Sequence, residues 1–140
     1  MEVALNQVSE FLGTTHRAIL ITRRRNGDLQ TSAVRVHAAD EGRVLISTRS
    51  STAKARNAAR EPRVTLSLIQ EKWAGGAWMH VDGQAEVIRL PAAMPLLEQY
   101  YRLREGGEHP DWEQYHQDMV AEDRVILRIT PTRAVRPARG

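Results

Sequence analysis

The densest chemistry in this 140-residue sequence lies between Ser47 and Asn57, where hydroxyls give way to cations: Ser47-Thr48-Arg49-Ser50-Ser51-Thr52-Ala53-Lys54-Ala55-Arg56-Asn57. Ser50, Ser51 and Thr52 are residue types that cap helix N-termini, and the AKARNAAR that follows is strongly helix-forming. A helix starting there presents unpaired backbone N–H groups and about half a positive charge. The three hydroxyls add donors, Lys54 adds a flexible cation in the first turn, and Arg49 and Arg56 raise the local potential. That set suits a phosphate or phosphodiester. The competing reading is a solvated helix face with ordinary caps, which most short basic runs are.

Charge is distributed unevenly around a modest net +3. Five bases and one acid fall between Arg49 and Arg63, whereas eight acids and two bases fall between Glu98 and Asp123. A local basic patch on a nearly balanced chain fits an anionic small molecule better than a nucleic acid duplex. The sequence has no cysteine, which removes disulfides, thiolate catalysis and cysteine-based zinc sites. His109, Asp111 and His116 lack the i, i+4 spacing of a helical zinc pair, so no metal is expected. His80 is a weak candidate for proton donation, since a lone histidine on a strand is more often structural. There is no Gly-rich phosphate loop and no credible Ser-His-Asp set, a lack consistent with chemistry carried by a cofactor.

The elements that must position these residues are mostly strands. Residues 2–12 have the apolar spacing of a short amphipathic helix that stops at Gly13. Ala18 to Thr22 is a continuous apolar run suited to a fully buried strand, and Asn26-Gly27 predicts a type I′ hairpin returning over Leu29–His37. A turn at Asp40-Glu41-Gly42 leads to a strand over Val44–Thr48, and Glu61-Pro62 ends the basic helix. Val64–Ile69 alternates, Gly75-Gly76 marks a turn, and Ala77–Val87 alternates with Gly83 as a bulge signal. Helices are expected from Pro91 to about Arg104 and over Asp111–Ala121, with Gly106-Gly107 between them. Val125–Thr130 is the last of six strands, and PTRAVRPARG follows as a basic tail. Closely spaced antiparallel strands with a few short helices read as one barrel or half-open barrel domain over residues 1–140.

Taken in order, HRAILITRR, NGDLQTSAVRV, VLISTRSSTAKARNAAREPRVTLSLI, WMHVDGQAEVI and RVILRITPTRAV resemble the pyridoxamine-phosphate-oxidase-like split β-barrel family over nearly the whole chain. The similarity is to the actinobacterial branch that uses the deazaflavin coenzyme F420. The specific motif is the strand ending in Ser47-Thr48 that runs into SSTAKARNAAREP, which looks like that family's phosphate-binding corner. The resemblance implies an FMN-binding split barrel fold, a homodimer, and cofactor sites at the subunit interface. It implies that Ser47, Thr48, Arg49, Ser50, Ser51, Lys54 and Asn57 hold the phosphate end. Gln30 and Ser32 would line the ring groove, Trp78 would touch the ring, and Arg133 would lie over the partner's cofactor. Ala33 stands where many relatives carry a polar amide.

The expected activity is hydride transfer from reduced F420 to an unsaturated or carbonyl-like small molecule. FMN-dependent oxidase or flavin reductase chemistry on the same fold stays open, as does a non-catalytic cofactor-binding protein. A haem-handling relative using His37, His80, His109 or His116 ranks last. The N-terminus lacks a signal core and no apolar run approaches ~20 residues, so a soluble cytoplasmic protein is expected.

Overall fold

The computed structural model describes residues 1–71 and 78–137. The turn expected at Gly75-Gly76 and the strand position Ala77 lie outside them. The strands are β1 (Glu2–Val3), β2 (Arg17–Arg23), β3 (Leu29–Arg35), β4 (His37–Ala38), β5 (Val44–Arg49), β6 (Arg63–Ile69), β7 (Trp78–Ile88) and β8 (Arg124–Val135). Four short helices accompany them: α1 (Asn6–Leu12), α2 (Ala53–Arg60), α3 (Met94–Glu105) and α4 (Trp112–Ala121). All described pairings are antiparallel, in the order β3-β2-β6-β7-β8-β5-β4, with β1 added beside β8. Val36 alone separates β3 at one edge from β4 at the other. A chain that passes between opposite edges in one residue forces the sheet to curl on itself. The expected split β-barrel is therefore the observed architecture.

Inside the curl, Leu20, Ile46, Leu66, Leu68, Met79, Val81, Leu127 and Ile129 are fully buried. Each such side chain contributes about 1.5–3 kcal/mol by leaving water. Helix α1 closes the interior with Val8, Phe11 and Leu12, and α2 closes it with Ala55 and Ala58. A second cluster lies outside the sheet, where Leu97 and Tyr100 of α3 and Tyr115 of α4 pack on Leu45 of β5 and Ile126 of β8. The α3–α4 pair is itself stitched by Tyr101, His109, Trp112 and Tyr115, with ring centroids 4.8 to 5.6 Å apart.

Several expectations are corrected. The first helix is shorter than 2–12, because Glu2 and Val3 pair with Val135 and Ala134. In the β2–β3 hairpin Gly27 alone takes positive φ (92°), and Asn26 does not. The turn is a three-residue loop, closed by Arg24 N–H to the Asp28 carbonyl (2.7 Å) and Gly27 N–H to the Arg24 carbonyl (2.9 Å). The paired positive φ values of a type I′ turn occur instead at Glu41 (60°) and Gly42 (72°). The strand expected over Leu29–His37 divides at Val36 into β3 and β4. Six strands become eight, and the supposed basic tail is largely strand, since β8 runs on to Val135. Pro91 precedes α3, whose first turn holds Pro95 instead.

The apolar run of β2 is buried on one face only. Ala18, Leu20 and Thr22 point inward, while Ile19 and Ile21 are half-buried on the outer face.

Gly83 is the bulge position anticipated from sequence. The β7–β8 register shifts between Asp82 and Gly83. A Cβ at Gly83 would lie 2.7 Å from Ile129 Cγ2 and 2.8 Å from the Thr130 carbonyl oxygen. Backbone cannot yield as a flexible side-chain end does. Gly83→Ala is expected to destabilise the chain by about 1–3 kcal/mol through overpacking. Urea unfolding measures this directly, and a change below ~0.5 kcal/mol would contradict the close approach.

Candidate cofactor site

The corner read from the sequence exists as a strand-to-helix joint. Strand β5 ends at Arg49 and α2 begins at Ala53, with Thr52 as its N-cap. The Thr52 hydroxyl accepts the Ala55 N–H (3.4 Å), donates to the Arg49 carbonyl (3.0 Å) and lies 3.1 Å from the buried Thr48 hydroxyl. These bonds fix the helix start. Among the described residues, the N–H groups of Ser51, Ala53 and Lys54 have no acceptor in the chain. Three donors therefore face outward at the positive end of the α2 dipole. Ser51 is exposed, Lys54 is half-buried, and neither Lys54 nor Arg56 forms an ion pair among the described residues.

Two acidic residues at this joint were missed by sequence reasoning. Arg49 pairs with Glu122 at 3.1 Å, and Glu122 also holds Arg124 at 3.0 Å. The Ser50 N–H donates to the Asp123 carbonyl (3.0 Å), and its hydroxyl donates to the Asp123 carboxylate. Asp123 is a non-glycine residue at φ 49°, in the left-handed region. Such backbone persists where surrounding contacts hold it. The signal available in sequence was the acidic run ending at Asp123, complementary to the basic corner. Arg49 and Ser50 are thus engaged within the chain, while the Ser51 and Lys54 side chains have no partner among the described residues.

The structure divides the other predicted residues into two groups. Asn57 is buried and committed internally: its Nδ2 donates to Thr22 Oγ1 (3.2 Å) and its Oδ1 accepts from Arg60 (2.8 Å). Thr22 lies directly opposite Gln30, and Leu20 opposite Ser32, so Gln30 and Ser32 share the sheet face that α2 covers. Gln30 is held by Arg24 Nε (3.1 Å). Ser47 is half-buried on the outer face of β5, opposite Ile126.

The second group lies on the outer face, over which no helix packs among the described residues. Trp78 is 41% exposed there. His80 Nε2 meets Asp82 Oδ1 at 2.8 Å, and Thr65 donates to the same oxygen at 2.8 Å. Arg133 approaches the other Asp82 oxygen at 3.7 Å. Burial alone would raise the Asp82 carboxyl, but the hydrogen bonds from Thr65 and His80 and the nearby positive charges bring it below its usual range. Beside this group lies a cleft of about 240 Å³ with Ile21 and Leu29 as apolar walls and Arg23 and Arg63 at its edge. Ile88 of β7 and Ser47 of β5 both flank Ile126 of β8, while His80 lies eight residues back along β7. At ~3.3 Å per residue that is roughly 26 Å, so within one chain the corner and the Trp78–His80 group are well separated.

His109 and His116 are engaged elsewhere, with Asp111 N–H donating to His109 Nδ1 (2.9 Å) and His116 Nε2 lying 2.6 Å from Glu98. Among the described residues no three His, Asp or Glu side chains gather as a metal site, and no helix is long and apolar enough to cross a membrane.

Solved structures share this fold. The conserved hypothetical protein Rv2991 from Mycobacterium tuberculosis is 22% identical with a TM-score of 0.73, covering 94% of this chain and 82% of that one. An F420 reductase is 22% identical with a TM-score of 0.66, covering 91% of this chain and 94% of that one. A putative pyridoxamine 5'-phosphate oxidase from Listeria innocua is 11% identical with a TM-score of 0.69, covering 94% and 96%. At such identities the likeness concerns the fold alone. The family model described as pyridoxamine 5'-phosphate oxidase matches residues 5–135, nearly the whole barrel, and the chain belongs to that family.

Proposed function

We propose that this chain is an F420-dependent reductase acting as a homodimer. The carrying observation is the α2 N-terminus, with three N–H groups lacking an acceptor and Lys54 lacking an ion pair among the described residues. That donor set fits a phosphodiester. Ser51, Lys54 and the backbone of residues 51–54 would hold it, with Thr48 and Thr52 keeping the helix start in place. Exposed Arg56, Arg60 and the hairpin residues Arg23 to Arg25 extend the positive surface, and Arg60 donates to the Arg23 carbonyl at 2.8 Å. This surplus favours a cofactor with a further acidic tail, as F420 has, over one with a phosphate alone. The fold shared with an F420 reductase supports the same reading.

When bound, the reduced deazaflavin supplies a hydride to an unsaturated or carbonyl-like substrate. The protein's part is to orient, exclude water and deliver a proton. Asp82, held by Thr65, fixes the His80 ring through Nε2, leaving Nδ1 without a partner among the described residues. In the imidazolium form, with both ring nitrogens protonated, His80 Nδ1–H on the open face can pass its proton to substrate and leave the ring neutral with Nε2–H still on Asp82, its positioning residue. Gln30 and Ser32 line the groove beside α2. Trp78 and Arg133 act on the partner's cofactor, because neither reaches the corner of its own chain.

The outer face supports the dimer. Strand β2 has neighbours on both sides, yet Ile19 and Ile21 are only half-buried, and Leu29 is 54% exposed. Covering this face with a second copy accounts for the continuous apolar run of β2. An FMN-dependent oxidoreductase remains the second reading, favoured by the family itself and served by the same corner.

Fluorescence titration tests the cofactor. Purified protein is expected to quench F420 on binding, and Lys54→Ala is expected to weaken F420 affinity by tenfold or more, about 1.4 kcal/mol. Unchanged affinity for both F420 and FMN would remove the proposed phosphate site. A yellow preparation that binds FMN and ignores F420 would select the second reading, and binding without hydride turnover would make the chain a carrier.

Sedimentation tests the dimer. The 15.8 kDa chain is expected at twice its mass, and Ile21→Asp is expected to yield folded monomer. A wild-type monomer at micromolar concentration would contradict the interface.

A further inference from the structure

His37 is the one buried histidine among the described residues, 2% exposed, and it sits where the chain passes from β3 to β4. Its ring stacks on His16, with centroids 4.6 Å apart and planes at 28°. Tyr100 of α3 meets it edge-on at 5.2 Å. Arg35 Nε–H donates to His37 Nε2 at 2.9 Å. Arginine cannot accept, so Nε2 carries the lone pair and the ring is neutral, with its proton on Nδ1. Tyr100 also donates its hydroxyl to the Arg35 carbonyl (3.2 Å), so α3 grips the same joint.

The charged and titratable groups facing the ring are His16 ahead of β2, Arg35 on β3, and Tyr100 and Arg104 on α3. Strand β5 sets Leu45 opposite it. None of these is a carboxylate. A proton at Nε2 would therefore set donor against donor and cation against cation in a dry pocket.

We propose that His37 is an acid-operated latch on the α3–α4 pair: taking up a proton at Nε2 breaks the Arg35 bond, opens the His16 stack and releases α3 from the β3–β4 joint. The α3–α4 pair runs on into Glu122 and Asp123, which hold Arg49 and Ser50, so the latch bears on the corner at α2. The latch stands independently of which cofactor binds.

Burial first, and then the charges of His16, Arg35 and Arg104, push the imidazole down to about 4 from the usual 6.5. The folded value lies below that of the free ring. The latch is fully closed above about pH 6.5 and loosens progressively as pH falls toward 4.

Amide hydrogen exchange over residues 94–105 of the full chain, corrected for intrinsic rates, tests this at pH 7.5 and pH 5. The opening equilibrium of α3 is expected to rise roughly thirtyfold at the lower pH. In His37→Gln, which keeps an acceptor for Arg35 but cannot take a proton, it is expected to stay flat. Should that variant fail to fold, NMR titration of the wild-type His37 ring replaces it, with a midpoint coincident with α3 opening. Equal α3 protection at both pH values, a rise that persists in His37→Gln, or a ring that charges near 6.5 with α3 still protected would each overturn the latch.

Discussion

The passage through Val36 is the constraint on which the rest of this molecule depends. One residue joins the two outermost long-range edges of the sheet, β3 and β4, and Val36 itself is fully buried. The sheet cannot stay open under that condition. Curling makes an interior, and α1 and α2 stop its openings with small and apolar side chains. Helix α2 has to start where β5 stops, and its N-terminus must then look outward at the sheet edge. The outward-facing helix start is a consequence of closing the barrel in this way, with Thr48 and Thr52 setting the final angle.

The outer face is divided by the same closure. Leu45 and Ile126 lie under α3 and α4, while among the described residues no helix covers Ile19, Ile21 or Trp78. The covered half carries its own cost, because the α3–α4 pair must be anchored to a sheet built mostly without it. Two anchors do this. Tyr100 and His37 fasten its start to the β3–β4 joint, and Glu122 and Asp123 fasten its end to the β5–α2 corner. A positive φ at Asp123 is retained because the Ser50 amide and hydroxyl both depend on that orientation.

Much of this was legible in the residues. Strict alternation located β6 and β7, hydroxyls followed by helix formers located the corner, and a lone glycine located the bulge. Local chemistry decides those features. The failures have a common cause in long-range pairing. Asn26-Gly27 carries the dipeptide of a type I′ turn, but the hairpin register closes on Arg24 and Asp28, so only Gly27 needs the left-handed region. The last strand was expected over Val125–Thr130, yet Pro131, which has no N–H to donate, sits in β8 opposite Gly83 beside the irregular register. Asn57, placed at the corner by the family motif, also ties α2 to β2 through Thr22, a partner 35 residues away that no local pattern announces. The Glu122–Asp123 contacts span 73 residues, and the acidic run ending at Asp123 does not name their partners.

The central claim is that an anionic cofactor sits on the α2 N-terminus. Its most direct test is an amide NMR titration of the wild-type chain with F420, following Ser51, Ala53 and Lys54. The account predicts that these three resonances move together and saturate at one cofactor per chain. Saturable F420 quenching that leaves all three unmoved would place the cofactor elsewhere and contradict the site.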